Sequence, residues 1–173
     1  MKHKKEFSKG AKWRVRGLVA ATALSVLVGV GVVAAPAQAY STNDFSVRTH
    51  IQNIGWSSLP GTRGQSLRVE AIQVTQLRSK VICLNAHVAS IGWQTRQCTS
   101  GPGTTIAVGT TGRALAIEAV EVTRPGNSYG VGALAHIQSI GDRYTGVSAG
   151  VGGFIAGTTG RGLRLEWFEL SNN

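Results

Sequence analysis

Acidic residues are scarce in this chain: 8 Asp and Glu stand against 18 Lys and Arg in 173 residues. Seven of the bases (Lys2, Lys4, Lys5, Lys9, Lys12, Arg14, Arg16) and one acid (Glu6) fall in the N-terminal segment 1–39. The remainder, 40–173, holds 11 bases and 7 acids, so its net charge is only about +4. Those bases are ten arginines and Lys80, spread along the chain rather than massed. They read as solvated surface with a few ion pairs, and without a basic helix or an RNA-binding motif nucleic acid is not an expected partner. Catalytic signatures are missing as well. There is no Gly-x-Ser-x-Gly elbow, phosphate-cradling loop or metalloprotease helix. Outside the recurring glutamates described below and Glu121 and Glu169, the acids are Asp44 and Asp142, and neither sits in a catalytic motif. The expectation is a protein that is not an enzyme and carries no cofactor. Only four prolines and no regular glycine period exclude collagen, an apolar content of 42% argues against disorder, and no long heptad pattern supports a coiled coil. The length of the part after Ala39 suits one ordinary domain.

Segment 1–39 reads as an export signal. Lys2 to Arg16 is a basic stretch, Gly17 to Ala35 is uncharged and apolar, and Ala37-Gln38-Ala39 is the small-x-small pattern of a signal peptidase site. The processed protein is expected to begin at Tyr40, to be secreted or cell-wall associated, and to keep no stable membrane insertion after cleavage. An exported protein meets oxidising conditions, in which the two cysteines, Cys83 and Cys98, are expected to pair as a disulfide.

What is present is repetition. Gly61-Thr62-Arg63-Gly64, Gly109-Thr110-Thr111-Gly112 and Gly157-Thr158-Thr159-Gly160 recur at an exactly even interval along the chain. Each leads into a segment with one glutamate, Glu70, Glu118 or Glu166. Upstream stand His50-Ile51-Gln52-Asn53-Ile54-Gly55, His87-Val88-Ala89-Ser90-Ile91-Gly92 and His136-Ile137-Gln138-Ser139-Ile140-Gly141, so three copies are expected over about 45–76, 80–124 and 129–171 of a single domain, 40–173. Trp56 and Trp93 follow the first two of these glycines, whereas Asp142 follows the third. The stretch from His50 to Glu70 is markedly shorter than those from His87 to Glu118 and from His136 to Glu166, which predicts a missing or clipped middle hairpin in the first copy. In the longer copies Cys98 to Val108 and Arg143 to Ala156 read as exposed Gly-rich loops around one short strand.

The periodicity is that of strands. Val47, Thr49 and Ile51 alternate with Arg48, His50 and Gln52, and Leu84, Ala86 and Val88 alternate with Asn85, His87 and Ala89, which puts each histidine opposite the apolar row. Parity switches at Ala71-Ile72, Ala119-Val120 and Trp167-Phe168, predicting a bulge or bend after each glutamate. Positive φ is expected at Gly109, Gly112, Gly157 and Gly160. The fold class is all-β, three repeats with pseudo-threefold symmetry, β-prism-like, with a β-trefoil as the alternative.

The unit His-Ile-Gln-Asn-Ile-Gly-Trp, a Gly-rich stretch, then Gly-Thr-Thr-Gly-Arg-x-Leu-x-Leu-Glu-Ala resembles the clostridial hydrophobic W repeat (ChW), whose Gly-Trp stands here as Gly55-Trp56 and Gly92-Trp93. The resemblance runs from Phe45 to Leu170. It implies an exported bacterial protein that binds cell-wall or other extracellular polysaccharide. The third copy departs from the pattern at Asp142.

Trp56 and Trp93 are the first candidates for ligand contact, since a flat indole covers the C–H face of a sugar while its N–H reaches a hydroxyl; packing across a sheet end as core is the alternative. Trp167 aligns with Ala71 and Ala119 and is expected in the core. His50, His87 and His136 are expected as hydrogen-bonded structural residues first and ligand contacts second; three imidazoles can hold zinc, but no short ligand spacing supports a metal site here. Gln52, Gln138 and Asp142 complete the candidate polar contacts. One glutamate per repeat points to a structural part, holding the Gly-Thr turn backbone or pairing with Arg113 or Arg161, rather than to the paired carboxylates of a glycosidase. The expected function is a secreted, lectin-like, non-catalytic module for cell-wall or extracellular polysaccharide. The alternative is an extracellular scaffold or adhesin that binds other proteins through exposed strand edges.

Overall fold

The computed structural model describes residues 40–41, 44–126, 129–150 and 152–172; the expected export segment lies outside the described residues. In chain order, β1 (Tyr40–Ser41), β2 (Phe45–Ile51), β3 (Gly55–Ser57) and β4 (Val69–Gln76) come first. They are followed by β5 (Cys83–Val88), β6 (Gly92–Trp93), β7 (Gln97–Cys98), β8 (Thr105–Gly109) and β9 (Ile117–Thr123). The last are β10 (Val131–Ile137), β11 (Gly141–Val147), β12 (Gly153–Gly157) and β13 (Leu165–Asn172).

Three antiparallel sheets result, and each is built on a pair formed by a His-bearing and a Glu-bearing strand: β2 with β4, β5 with β9, β10 with β13. Among the described residues there is no helix, and no sheet closes into a barrel. The architecture is β-prism-like, not a trefoil. Alternation decides which faces meet. In β2, Phe45, Val47, Thr49 and Ile51 are fully buried while His50 is not, and β10 repeats this with Ala133, Ala135 and Ile137 about His136. Phe45, Val74, Leu84, Val122, Ala133 and Phe168 bring the three sheets into one continuous core. Full burial of each such branched or aromatic side chain stabilises the fold by roughly 1.5–3 kcal/mol.

The repeats are interleaved. β8, which lies in the second copy by sequence, pairs with β4 of the first, and β12 of the third pairs with β9 of the second. The third sheet receives a single bridge, Gly61 to Trp167, in place of a strand. This is the clipped segment of the first copy. The seam is the same at all three joints: Thr62, Thr110 and Thr158 donate their N–H to the carbonyls of Glu166, Glu70 and Glu118 at 2.7, 2.8 and 2.9 Å. The glycine before each threonine crosses the neighbouring strand so closely that a Cβ on Gly61, Gly109 or Gly157 would stand 2.1, 2.4 or 2.3 Å from that same carbonyl oxygen.

The expected bulge is present but is centred on the glutamate itself. His50 faces Ala71 while Ile51 faces Val69, leaving Glu70 as the extra residue, and Glu118 and Glu166 are placed likewise. The stretch from Arg143 to Ala156, expected as exposed loop around one short strand, carries most of two strands, β12 and a β11 that runs from Gly141 to Val147 against the whole of β10. Tyr144, Thr145 and Val147 suit a pleated surface, and that outweighs the surrounding glycines.

Cys83 and Cys98 form the expected disulfide, facing each other across β5 and β7. Closing so short a loop contributes about 3 kcal/mol in the chain-entropy picture. At the base of the third copy Tyr129 donates its hydroxyl to the Val81 carbonyl and lies between Lys80 Nζ, 5.0 Å from the ring centre, and the Arg124 guanidinium at 5.4 Å. Burial pushes the Tyr129 phenol up to about 12, and the Arg124 charge opposes this only in part. Above about pH 10 the unfolded chain releases this proton while the folded protein keeps it, so stability falls as pH rises from about 10 to about 12. Denaturant midpoints at about pH 9 and about pH 11 are expected to differ less in Tyr129→Phe than in the unchanged protein.

Candidate functional site

The cross-strand register puts four residues of each sheet in one row. Trp56 faces His50, His50 faces Ala71, and Ala71 faces Gly109. The second sheet repeats the row as Trp93, His87, Ala119 and Gly157. In the third it reads Asp142, His136, Trp167 and Gly61. Directly opposed residues share a face and touch, so each row is a strip of side chains on one face of its sheet, exposed at Trp56, Trp93 or Asp142 and buried at Ala71 and Ala119.

In the first two rows the indole is 38% and 41% exposed at Trp56 and Trp93, so neither residue is core. Each stands at right angles to its histidine. Ring centres are 5.4 Å apart at 82° for His50 and Trp56, and 5.2 Å apart at 79° for His87 and Trp93. A buried glutamate of the bulge lies behind each histidine. His50 Nδ1 is hydrogen-bonded to Glu70 Oε2 at 3.0 Å, whereas His87 Nδ1 lies 2.9 Å from Glu118 Oε2 without hydrogen-bond geometry. With a carboxylate as neighbour, the His50 nitrogen donates and its ring orientation is set. Arg68 closes the first row by donating to Glu70 through Nε at 2.9 Å, and the Arg48 guanidinium lies 5.9 Å from the Trp56 ring centre. Ala116 occupies the place of Arg68 in the second row, so Glu118 has no such partner there.

The third row moves its tryptophan two strands along. Asp142 stands where the other rows have Trp, and His136 Nδ1 turns to it at 2.6 Å, leaving Nε2 3.9 Å from Glu166. Trp167 stands where the others have Ala. It is only partly buried, not the core residue its apolar register suggested, and the Arg63 guanidinium covers it at 4.1 Å from the ring centre while Arg63 Nε reaches Asp142 at 3.4 Å. The Trp167 indole N–H donates to Glu169 at 3.1 Å. An outer sheet surface accepts a tryptophan here because an arginine from the clipped first copy shields it.

Several expected roles shift. The glutamate side chains lie beside the histidines, with a hydrogen bond from His50 to Glu70, and in two copies take Arg68 and Arg164, not Arg113 or Arg161; their main-chain carbonyls, not their carboxylates, receive the Gly-Thr turn. The bulge breaks alternation and leaves the carboxylate beside the histidine. Gln52 and Gln138 are half-buried in the turns after β2 and β10, with their N–H groups bonded to the Arg68 and Arg164 carbonyls at 3.0 Å, and they lie outside the rows. The three histidines belong to three separate sheets, and among the described residues no group of three or more His, Cys, Asp or Glu is placed to hold a metal. Arg63, Arg68, Arg164 and Trp167 are not legible as site residues from the sequence. Only the coincidence of Asp142 for Trp and Trp167 for Ala in the same copy hints at an exchange.

This row of His, Trp and bulged Glu lies within a segment that matches a known family. Residues 50–75 match the family model described as Clostridial hydrophobic W (ChW). The ChW segment starts at the site histidine, His50, takes in Trp56, Gly61 and Glu70, and ends in β4. The matched segment therefore contains residues of the first row and of the seam. No curated protein and no solved structure matches the chain.

Proposed function

We propose that the protein is an exported, non-catalytic module of three ChW repeats that binds cell-wall or other extracellular polysaccharide through Trp56 and Trp93. The observation that carries this reading is a device built twice. On two sheets a partly exposed indole is braced edge-on by a histidine with a buried glutamate behind it at 3.0 or 2.9 Å, hydrogen-bonded to the histidine in the first. An indole so fixed offers a flat apolar face to a pyranose ring at little cost in side-chain entropy. Two such faces on one rigid body suit a repetitive polymer, where weak sites gain avidity. The disulfide fits an oxidising location.

Affinity electrophoresis in gels cast with soluble wall polysaccharides tests the reading. In gels cast with neutral polysaccharide, Trp56→Ala and Trp93→Ala are each expected to weaken retardation by roughly tenfold, and the double variant to migrate as in a plain gel. Equal retardation of the double variant and the unchanged protein would remove the tryptophans from the site. The unpaired outer edges of β8 and β12 favour a second reading, binding of another extracellular protein by strand addition. A mass that rises with protein concentration, with no polysaccharide retardation, would favour it.

A further inference from the structure

A second kind of site lies away from the tryptophan rows. Between β11 of the third sheet and the outer strand β12 of the second is a cleft of about 640 Å³. Arg143 and Tyr144 line it from one side, and Ile155, Gly157, Thr158 and Arg161 from the other. No carboxylate lines it. Among the described residues neither Arg143 nor Arg161 is paired with an acid, and Arg143 donates only to the main-chain carbonyl of Asp142, at 2.8 Å. Two guanidinium groups thus face one cleft beside Tyr144, 58% exposed, and Ile155, 48% exposed.

The preceding joint shows what this cleft is missing. There Gln94, the residue after Trp93, occupies the corresponding notch against β8. Its Oε1 accepts the Gly109 N–H at 2.7 Å, and its Nε2 donates to the Gly109 carbonyl at 3.2 Å. At Gly109, the end of β8, the outward main-chain groups are therefore capped by the protein's own amide. Gly157 holds the same register, since Thr158 N–H bonds to Glu118 as Thr110 N–H bonds to Glu70. Main-chain groups alternate in direction along an antiparallel strand, so the Gly157 N–H and C=O also turn outward. Arg143 follows Asp142 as Gln94 follows Trp93, but it leaves them open: among the described residues no side chain bonds to Gly157. An outward N–H between two arginines, without a local acceptor, is a place for an oxyanion.

We propose that this cleft binds the anionic group of an acidic saccharide. Arg143 and Arg161 take the carboxylate or phosphate oxygens, the Gly157 N–H donates to one of them, and the Tyr144 ring covers the attached sugar. This rests on the polysaccharide reading above but uses none of its residues. It makes the molecule bifunctional: two tryptophan rows for ring faces, and one cleft for charge.

Calorimetric titration of the purified full chain with three probes tests the proposal: oligogalacturonate, oligo(glycerol phosphate) and a neutral cello-oligosaccharide. At least one acidic probe is expected to bind, and the acidic arm that binds tells carboxylate from phosphate. Arg143→Gln removes one charge and installs the side chain that seals the neighbouring notch. It is expected to weaken the acidic probe at least tenfold, as is Arg161→Gln, while Arg161→Lys retains part of the affinity. Circular dichroism spectra matching the unchanged protein would show that the variants are folded. Trp56→Ala with Trp93→Ala is expected to leave the acidic probe unaffected. If that double variant still binds neutral insoluble polysaccharide, the tryptophan reading fails while the cleft stands. Binding of neither acidic probe, or unchanged affinity in both glutamine variants, overturns the cleft.

Discussion

Gly109→Ala is expected to destabilise the protein by roughly 3–5 kcal/mol, a large part of what a domain of this size has to lose. Two penalties combine. The residue sits at φ +97, where an L side chain is strained, and its Cβ would stand 2.4 Å from the Glu70 carbonyl oxygen and 2.7 Å from the Ala71 Cα. Both are main-chain atoms of the neighbouring repeat, held by the Thr110 N–H bond to that same carbonyl, so neither can rotate aside. Gly157→Ala meets the same obstruction at Glu118 and Ala119 and is expected to behave alike. Gly112→Ala separates the two penalties, because at φ +70 it has nothing within 4 Å of the added Cβ. Only the backbone cost of about 1 kcal/mol is then expected. Chemical denaturation of the three variants checks this, and similar losses for Gly109 and Gly112 would show that the seam is not closely packed.

Glu70→Gln is expected to be more damaging than the same change at Glu118. The buried carboxylate takes the Arg68 guanidinium on Oε1 and His50 on Oε2, and a neutral amide leaves the arginine charge without its counterion. Arg68 is partly exposed, so the expected cost is about 2 kcal/mol rather than the larger figure for a fully buried pair. Glu118→Gln, whose carboxylate lies 2.9 Å from His87 Nδ1 but is not hydrogen-bonded to it, is expected to cost no more than about 1 kcal/mol. Thermal denaturation in matched buffer reads the difference between the two. Glu70→Gln is also expected to weaken polysaccharide binding, since a His50 ring free to turn no longer fixes the Trp56 indole.

Much of this arrangement can be read along the chain. The even spacing of the Gly-Thr turns, the parity that turns His50 and His87 away from the core, and the parity switch near each glutamate lead to an all-β domain of three related units, with the bulge displaced by one position. What periodicity does not carry is which strand pairs with which. β8 and β12 follow β7 and β11 in sequence, yet they complete the sheets of the preceding copies. That exchange is set by the close approach of Gly109 to Glu70 and of Gly157 to Glu118, a contact between segments far apart in the chain. The third row is hidden for the same reason. Trp167 aligns with two buried alanines, and only the folded register reveals that Arg63, from the far end of the domain's sequence, lies over it and makes a half-exposed indole tenable. The cleft at Arg143 and Arg161 lies in a stretch whose glycines resemble a loop, whereas its strand character comes from Tyr144, Thr145 and Val147.

The polysaccharide binding proposed for the paired tryptophan rows is checked by co-sedimentation with purified peptidoglycan, wall polymers and a panel of insoluble polysaccharides, at low and high salt. Retention on at least one polymer is expected to survive high salt, to be competed by a soluble sugar, and to disappear in the Trp56→Ala, Trp93→Ala double variant while its circular dichroism spectrum is unchanged. Absence of retention on every polymer, or undiminished salt-resistant retention by the double variant, would contradict the proposed binding.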